Sequence, residues 1–498
     1  MKKRVIIIGS GLGGLSTALI LQRQGFDTLV LEQCHQIGGC LQCFTRPGAR
    51  FETGMHFIGS ADKGQTLWRL LRFLEIEDKI VLSRLDTAGY DTIYLAGQKF
   101  SIPNGEEPFI ERLSEYFPSE KDAIAQYYNL SSKIAQASHL NTIDTSSNDL
   151  SVSVTYQLRS VNEVIESITS NPTLQNVLVS QQPLYAGIRD HTPFSTHAFI
   201  FDFYNKSAFR VVGGSDCIAQ ALRGNLEKYG GQVHTLKRVT KVICDDEKVT
   251  GVEVNGEDFI PADYVISAIH PARLIEMTPT PLLRPAFRKR MTTMPNTVGC
   301  FSLYVKFKPG TIPYSNTNHF AYKGLSPWNC DDYTEETWPK GYLYMHQCPH
   351  ADMKWAETAS VISYMKFDEV ATWRGTRIGR RSEAYEALKE EKCRILINAV
   401  EKDFPGFAAS IDRYWAATPL TFEDYTGTLN GGMYGVAKDI QLGIAGHVPQ
   451  RTKVPNLLQT GQNVNSHGIL GTLVGSIVTS GELLGSEKIV QLIQKSQI

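Results

Sequence analysis

Gly9, Gly11 and Gly14, followed by an acid at Glu32, stand at the spacing that grips a dinucleotide. In such a site the first glycine makes a tight turn, the second lets the backbone approach a pyrophosphate, and the third lets helix and strand close together. A helix opening from that turn aims unpaired N–H groups at the phosphates, and an acid ending the next strand accepts hydrogen bonds from a ribose. Leu12 and Gly13 lie within the turn and Gln33 follows the acid, so all three are expected against the cofactor. The elements needed to position these residues come in the right order. Val5, Ile6, Ile7 and Ile8 predict a short buried strand, and the segment through Gln24 predicts a helix. Gly25 supplies the helix stop, and residues 28–31 predict a second buried strand ending at Glu32.

Two further segments favour FAD over NAD. Gly38-Gly39 and then Phe51-Glu52-Thr53-Gly54 make a second glycine-rich approach, placing Gly39, Cys40, Gly54 and His56 on the same cofactor. Near the C-terminus, residues 456–463 read as a strand and turn opening a helix over 467–484. That arrangement sets Gly461, Gln462, Asn463, Gly468 and Ile469 beside a flavin, with the positive helix end toward its pyrimidine ring. The dipole contributes about 0.3–1 kcal/mol at an exposed end and favours an ionised reduced flavin. Val239, opening a strand over 239–244, completes the expected cofactor set.

The rest of the chain bounds the function. Its 498 residues suggest about three domain-sized units, and 42% hydrophobic content allows large cores. A formal net charge of −1 gives no field of one sign, so nucleic acid is not an expected partner. Lys2-Lys3-Arg4 imitates the start of a signal peptide, but the apolar run breaks at Gly9, short of the roughly 7–15 residues such a segment needs. No run of about 18 apolar residues exists, and a cytoplasmic location is expected. Two basic amphipathic segments could touch a membrane surface: Leu67, Leu70, Leu71 and Leu74 beside Arg69 and Arg72, and Leu283, Phe287, Met291 and Met294 beside Arg288, Lys289 and Arg290. Nine cysteines describe no disulfide framework. Cys40-Leu41-Gln42-Cys43, with Cys34 nearby, has no second CxxC or histidine pair to complete a metal set, so no metal is expected and the thiols read as buried or loop-lining.

The chain divides by texture. Residues 1–100, 206–270 and 444–498 carry the nucleotide grammar in three pieces, and 101–205 with 271–443 form an inserted substrate-binding lobe. Within the middle piece, residues 233–236, 239–244 and 249–254 predict short strands, Asp245-Asp246 and Asn255-Gly256 predict turns, and 263–268 predicts another buried strand. The expected fold is α/β: a discontinuous Rossmann-like FAD-binding domain with a β-meander, plus an inserted α+β substrate-binding domain.

Gly54-Met55-His56-Phe57-Ile58-Gly59, the Gly213-Gly214 helix entry, the strand ending at His270-Pro271, Thr418-Pro419 with Asp424-Tyr425-Thr426-Gly427, the glycines from Gly431 to Gly435, and Thr460-Gly461-Gln462 run from end to end of the chain. Together they resemble the phytoene desaturase, carotenoid isomerase and retinol saturase group of flavoproteins. Glu32-Gln33 with Gly38-Gly39-Cys40 leans toward the retinol saturase branch. One position departs: where that branch usually has an acid after the Gly-Gln pair, this chain has Asn463, which can still hydrogen-bond the cofactor. The resemblance implies FAD and a long apolar isoprenoid or polyene substrate whose double bond is saturated. Desaturation or cis–trans isomerisation on the same scaffold is the alternative. A non-enzymatic lipid escort of the Rab GDP-dissociation inhibitor type is the remote one, opposed by the intact Gly9, Gly11, Gly14 and Glu32. No second dinucleotide fingerprint is present for a resident NAD(P)H, which stays a candidate electron donor, and no motif codes for an oligomeric state. Such chemistry needs no nucleophilic triad. His56, on a loop near the flavin, is the candidate proton donor or substrate hydroxyl partner, and His467, at the start of the flavin-facing helix, has a similar role open to it. Tyr425 and Tyr434 are candidate pocket residues.

Overall fold

A computed structural model describes residues 2–137 and 150–497, so 138–149 of the expected first insertion lie outside the described residues. β1 (Arg4–Ile8) is built from residues with no reason to face water on either side. Val5, Ile6 and Ile7 are fully buried, as a central parallel strand covered on both faces requires. α1 (Leu12–Arg23) returns the chain over the sheet, Gly25 follows its end at φ +91°, and β2 (Asp27–Leu31) pairs with β1 in parallel. The sheet has five strands in the order Gln232–His234, β2, β1, Tyr264–Ser267, Leu457–Gln459, all parallel. Widely separated stretches of chain therefore close one sheet, whose strand ends converge at Gly9, Glu32 and Thr460. This is the expected Rossmann-like α/β arrangement.

The middle piece differs in detail. The strand expected at 233–236 is Gln232–His234, and it extends the parallel sheet beside β2 instead of joining the meander. The three-stranded antiparallel meander is Val239–Cys244, Val249–Val254 and Asp258–Pro261. Its last strand was not anticipated because Asp258, Phe259 and Pro261 are exposed and show no clean alternation. The turn before it was the available signal: Asn255 and Gly256 both sit at positive φ, +54° and +82°, the geometry of a tight two-residue hairpin.

The second lobe is built on a seven-stranded sheet in the order Ile411–Ala417, Gly299–Phe307, Thr358–Met365, Gly341–His346, Asn318–Tyr322, Asp91–Leu95, Gln98–Ile102. Only the Asn318–Tyr322 pairing with Asp91–Leu95 is parallel. The hairpin at 91–102 thus belongs by hydrogen bonding to this lobe, and the expected boundary at residue 100 falls inside it. Helices Glu106–Tyr116, Lys121–Gln136 and Phe194–Lys206 lock together through Phe109, Tyr127 and Phe201, whose ring centroids lie 5.0–6.1 Å apart.

Both amphipathic segments spend their apolar faces on the protein itself. Leu67, Leu70, Leu71 and Leu74 are at most 3% exposed, and helix Thr66–Phe73 packs against helix Ser486–Lys495. Leu283, Met291 and Met294 are at most 6% exposed, Phe287 is partly buried, and the Arg288 guanidinium donates to the carbonyls of Leu283, Ile275, Thr278 and Thr280. Periodicity names the apolar face of each segment, and here the protein's own core covers it. Among the described residues no helix is long and apolar enough to cross a membrane.

Candidate functional site

Each glycine of the N-terminal turn has a separate physical reason. Gly9 sits at φ +98°, with its N–H donating to the Leu31 carbonyl at 2.9 Å. A Cβ on Gly14 would fall 2.1 Å from the Gly9 carbonyl oxygen, and one on Gly13 would fall 2.6 Å from the Gly461 Cα. Gly11 is the opposite case: its φ of −64° suits any residue and no atom lies within 4 Å of an added Cβ. Close packing thus explains Gly13 and Gly14, whereas Gly11 borders open space. Gly14 accordingly lies behind the cavity wall, while Gly9, Gly11, Leu12 and Gly13 line it.

Glu32 does more than face a ribose. Its Oε2 accepts from the Ser10 N–H at 2.9 Å and the Ser10 hydroxyl at 2.6 Å, and its Oε1 accepts from the Cys34 N–H at 2.9 Å. A carboxylate has about four acceptor sites, so capacity remains for one ribose hydroxyl. Ser10, inconspicuous in the sequence, braces the acid that the motif makes obvious.

The other expected cofactor residues surround the same space. Gly39, at φ +56°, brings its Cα region against Gly11, 3.2 Å from an added Cβ. Gln33, Cys40, Gly54, His56 and Val239 border the cavity, as do Gly461, Gln462, Asn463, Gly468 and Ile469. Asn463 is committed differently from what was expected. Its Oδ1 accepts from the Val436 N–H at 2.9 Å and sits where a Gly435 Cβ would be, so the oxygen is partly committed to the protein.

The cavity measures about 1510 Å³ and is continuous from the nucleotide turn to a chamber between helix Phe194–Lys206 and the seven-stranded sheet. Phe199, Ile200, Phe203, Ile362 and Tyr364 make that chamber apolar and aromatic. Single-ligand pockets typically hold about 300–1,000 Å³, so there is room for a cofactor and a second molecule.

The titratable candidates separate sharply. His56 reaches the cavity with its side chain only 10% exposed; its Nδ1 lies 3.7 Å from Glu52 Oε2 and has no hydrogen-bond partner. Glu52, a carboxylate 7% exposed behind the histidine, has no mark in the sequence beyond the glycine two residues on. His467 precedes helix Gly468–Leu484, with its ring centroid 4.4 Å from that of Tyr434 and an unpartnered Nε2. Burial first, then the Lys438 charge, pushes it down to about 3, so the ring is neutral at ordinary pH and cannot serve there as a cationic acid. The two tyrosines part company. Tyr434 is enclosed and donates to the Pro183 carbonyl at 3.0 Å; Tyr425 is 41% exposed, with its carbonyl 3.7 Å from the Cys34 sulfur, at the rim near Glu32. Tyr425 thus borders the cavity from helix Pro419–Thr426, as a partly exposed residue.

All nine cysteines are free. Burial pushes Cys34, Cys40 and Cys43 each up to about 11, which keeps them as thiols at neutral pH. Among the described residues no His, Cys, Asp and Glu side chains gather as a metal set. The Cys40→Ser/Cys43→Ser double variant is expected to keep its bound flavin and most of its turnover, read from flavin absorbance and initial rate. A disulfide that cycles during turnover would make the pair a redox centre.

The residues fit FAD. α1 opens with no side-chain cap and no acid in its first turn, leaving its N–H groups for a pyrophosphate beside the open space at Gly11. Helix Gly468–Leu484 opens in the same way, uncapped and without an acid, at the opposite side of Gly13 and Gly461.

Comparison with known proteins agrees with this geometry. Residues 12–338 match the family described as flavin containing amine oxidoreductase. The all-trans-retinol 13,14-reductase of Rattus norvegicus is 26% identical over an alignment covering 97% of this chain and 86% of that protein. The chloroplastic prolycopene isomerase 1 of an Oncidium hybrid cultivar is 23% identical, with coverage of 97% and 84%. Among solved structures, an oxidoreductase from Methanosarcina mazei superposes with a TM-score of 0.63 at 17% identity, covering 95% of this chain and 99% of that one, a likeness of fold.

Proposed function

The chain belongs to the flavin containing amine oxidoreductase family and is an FAD-dependent oxidoreductase; from that premise we propose that it saturates a carbon–carbon double bond in an apolar isoprenoid or polyene lipid. The observation that carries this reading is the continuity of the nucleotide cavity with an apolar, aromatic chamber. Bound FAD supplies the two-electron chemistry.

The chain's own residues bind, orient and shield. The N-terminus of α1, Gly11 and Glu32 would hold the pyrophosphate and ribose, and the turn at Gly461 with helix Gly468–Leu484 would hold the flavin end. Phe199, Ile200, Phe203 and Tyr364 would grip the lipid, at about 0.8 kcal/mol per buried CH₂, so few polar contacts are needed. Tyr434, Tyr204 and Tyr364 are neutral phenols, and burial pushes each further from ionisation, so they add no charge beside a polyene. His56, which borders the cavity with Glu52 3.7 Å behind it, is proposed to deliver a proton to substrate carbon or to bond a substrate hydroxyl. Electrons are proposed to arrive from NAD(P)H outside the chain. A cytoplasmic setting, with substrate drawn from a membrane surface, suits a chain whose thiols are all free.

Desaturation or isomerisation on the same scaffold is the second reading, favoured by the full-length match to a prolycopene isomerase. Anaerobic incubation of the reduced and oxidised protein with all-trans-retinol and with a carotenoid separates them by product mass. Saturation predicts a product richer by two hydrogens and reoxidised flavin. A product that has lost two hydrogens, with oxidised flavin becoming reduced, means desaturation; unchanged mass means isomerisation.

A further inference from the structure

A phenol enclosed in an apolar chamber ordinarily turns its O–H onto the protein, because an unpaired polar group is costly away from water. The tyrosines deep in the cavity follow that rule. The hydroxyl of Tyr322 donates to the Ser180 carbonyl, that of Tyr342 to Asp403 Oδ2, that of Tyr364 to Gln182 Oε1 at 3.1 Å and that of Tyr434 to the Pro183 carbonyl at 3.0 Å. Each shows the cavity a ring whose polar end is already engaged. Tyr204 departs from them. It is half-buried and borders the same cavity, and among the described residues its hydroxyl has no hydrogen-bond partner, yet the oxygen is not sealed inside the protein.

The fold holds that hydroxyl at one end of the chamber. Helix Phe194–Lys206 runs along the chamber wall and lines it with Thr196, Phe199, Ile200, Phe203 and Tyr204. Near the helix start the cavity opens outward. Val154 and Leu158 border it while 54% and 63% exposed, and beside them the Phe194 N–H donates to the Arg159 carbonyl at 2.8 Å. Tyr204 lies two helical turns beyond Thr196, about 12 Å along the helix axis. There its carbonyl and that of Asn205 accept from Asn104 Nδ2 at 2.9 and 3.0 Å, and its ring packs against Phe57 and Phe203, with centroids 4.6 and 4.9 Å away. Phe57 follows His56, so the loop expected against the flavin closes this same end.

We propose that the Tyr204 hydroxyl is the polar anchor of the chamber: it donates to an oxygen at one end of the polyene, holds that end on the flavin side, and raises the site's affinity for an oxygenated polyene relative to a hydrocarbon of the same length. The proposal rests on the polyene reading above and adds the end by which the lipid is held. At the mouth, water serves a polar group on the lipid; at the inner end the tyrosine must do so, and a lipid oxygen left unpaired there is penalised. Burial first, then the Asp91 charge, pushes the Tyr204 phenol up, so it stays an O–H donor at ordinary pH. An oxygen held by Tyr204 leaves His56 for the proton.

The test follows the binding of all-trans-retinol, all-trans-retinal and the hydrocarbon lacking their oxygen to oxidised, FAD-loaded protein, by perturbation of the flavin spectrum. Tyr204→Phe keeps the ring against Phe57 and removes only the hydroxyl. It is expected to weaken retinol and retinal by about five- to a hundredfold and to bind the hydrocarbon as wild type does; Tyr204→Met is a second removal of the hydroxyl should the phenylalanine variant not fold. A merely structural tyrosine would move all three lipids together. The carbonyl stretch of retinal bound to wild type supplies a second readout: it is expected below its position in apolar solvent, and to return there in Tyr204→Phe. A folded, FAD-bound variant that binds all three lipids as wild type does, or shifts all three alike, overturns the anchor and leaves the polyene reading intact, as does an unshifted carbonyl in wild type. Wild type that binds none of the three overturns both.

Discussion

A Gly11→Val variant is expected to fold, to bind no FAD and to have lost all turnover. The three glycines of the turn are not equivalent, and the difference is geometric. Gly11 has an ordinary φ of −64° and nothing within 4 Å of an added Cβ, so valine there leaves the protein's own packing intact. The space it fills is the one against which a pyrophosphate must lie. Gly14→Val provides the contrast: its Cβ would overlap the Gly9 carbonyl oxygen at 2.1 Å, and because that oxygen is backbone and a Cβ has no freedom to swing aside, the strand–helix contact itself must open. Circular dichroism and the thermal transition should therefore place Gly11→Val with folded protein and Gly14→Val with misfolded or markedly destabilised protein. Colourless wild type that cannot be reconstituted with FAD, or a Gly11→Val protein that still binds it, would contradict this account of the turn.

His56→Ala is expected to slow lipid reduction by about 10²–10⁴-fold, the usual worth of general acid catalysis, with FAD still bound. The ring is enclosed against Glu52 on its Nδ1 side and reaches the cavity from there. Glu52 acts through the ring, as a positioning residue. Glu52→Gln should accordingly slow the reaction less than loss of the imidazole does, and should lower kcat with little change in the KM for lipid, a split that a purely structural contact would not give. An unchanged rate in His56→Ala would remove the residue from the chemistry and leave the FAD-dependent reductase proposal standing on product mass.

Legibility in the sequence tracked the range of the forces involved. The dinucleotide grip was plain because Gly9, Gly11, Gly14 and Glu32 act through backbone conformation and close approach within one short unit. Partners contributed from far along the chain left no such mark. Asn463 looked like a weakened cofactor ligand, and its oxygen instead receives the Val436 N–H. Glu52 was hidden for a different reason: it lies only four residues from His56, and an irregular loop, which no periodicity announces, turns it toward the ring. The strand near residue 233 grouped with its sequence neighbours, although its hydrogen bonds go to β2. A short apolar run states that it wants a sheet and does not state which one.

By itself, the sequence determined the cofactor class, the α/β architecture and the order in which the nucleotide unit is assembled, since those depend on residue types at short spacing. It also located the apolar faces at 67–74 and 283–294. Only the tertiary structure decided that those faces are covered from within, that the cavity continues from the nucleotide turn into an aromatic chamber, and that the His56 ring stands there against Glu52. The physical reason is the same in each case. Burial, desolvation and charge pairing depend on which distant segments meet, and their energies exist only once the chain has closed around the site.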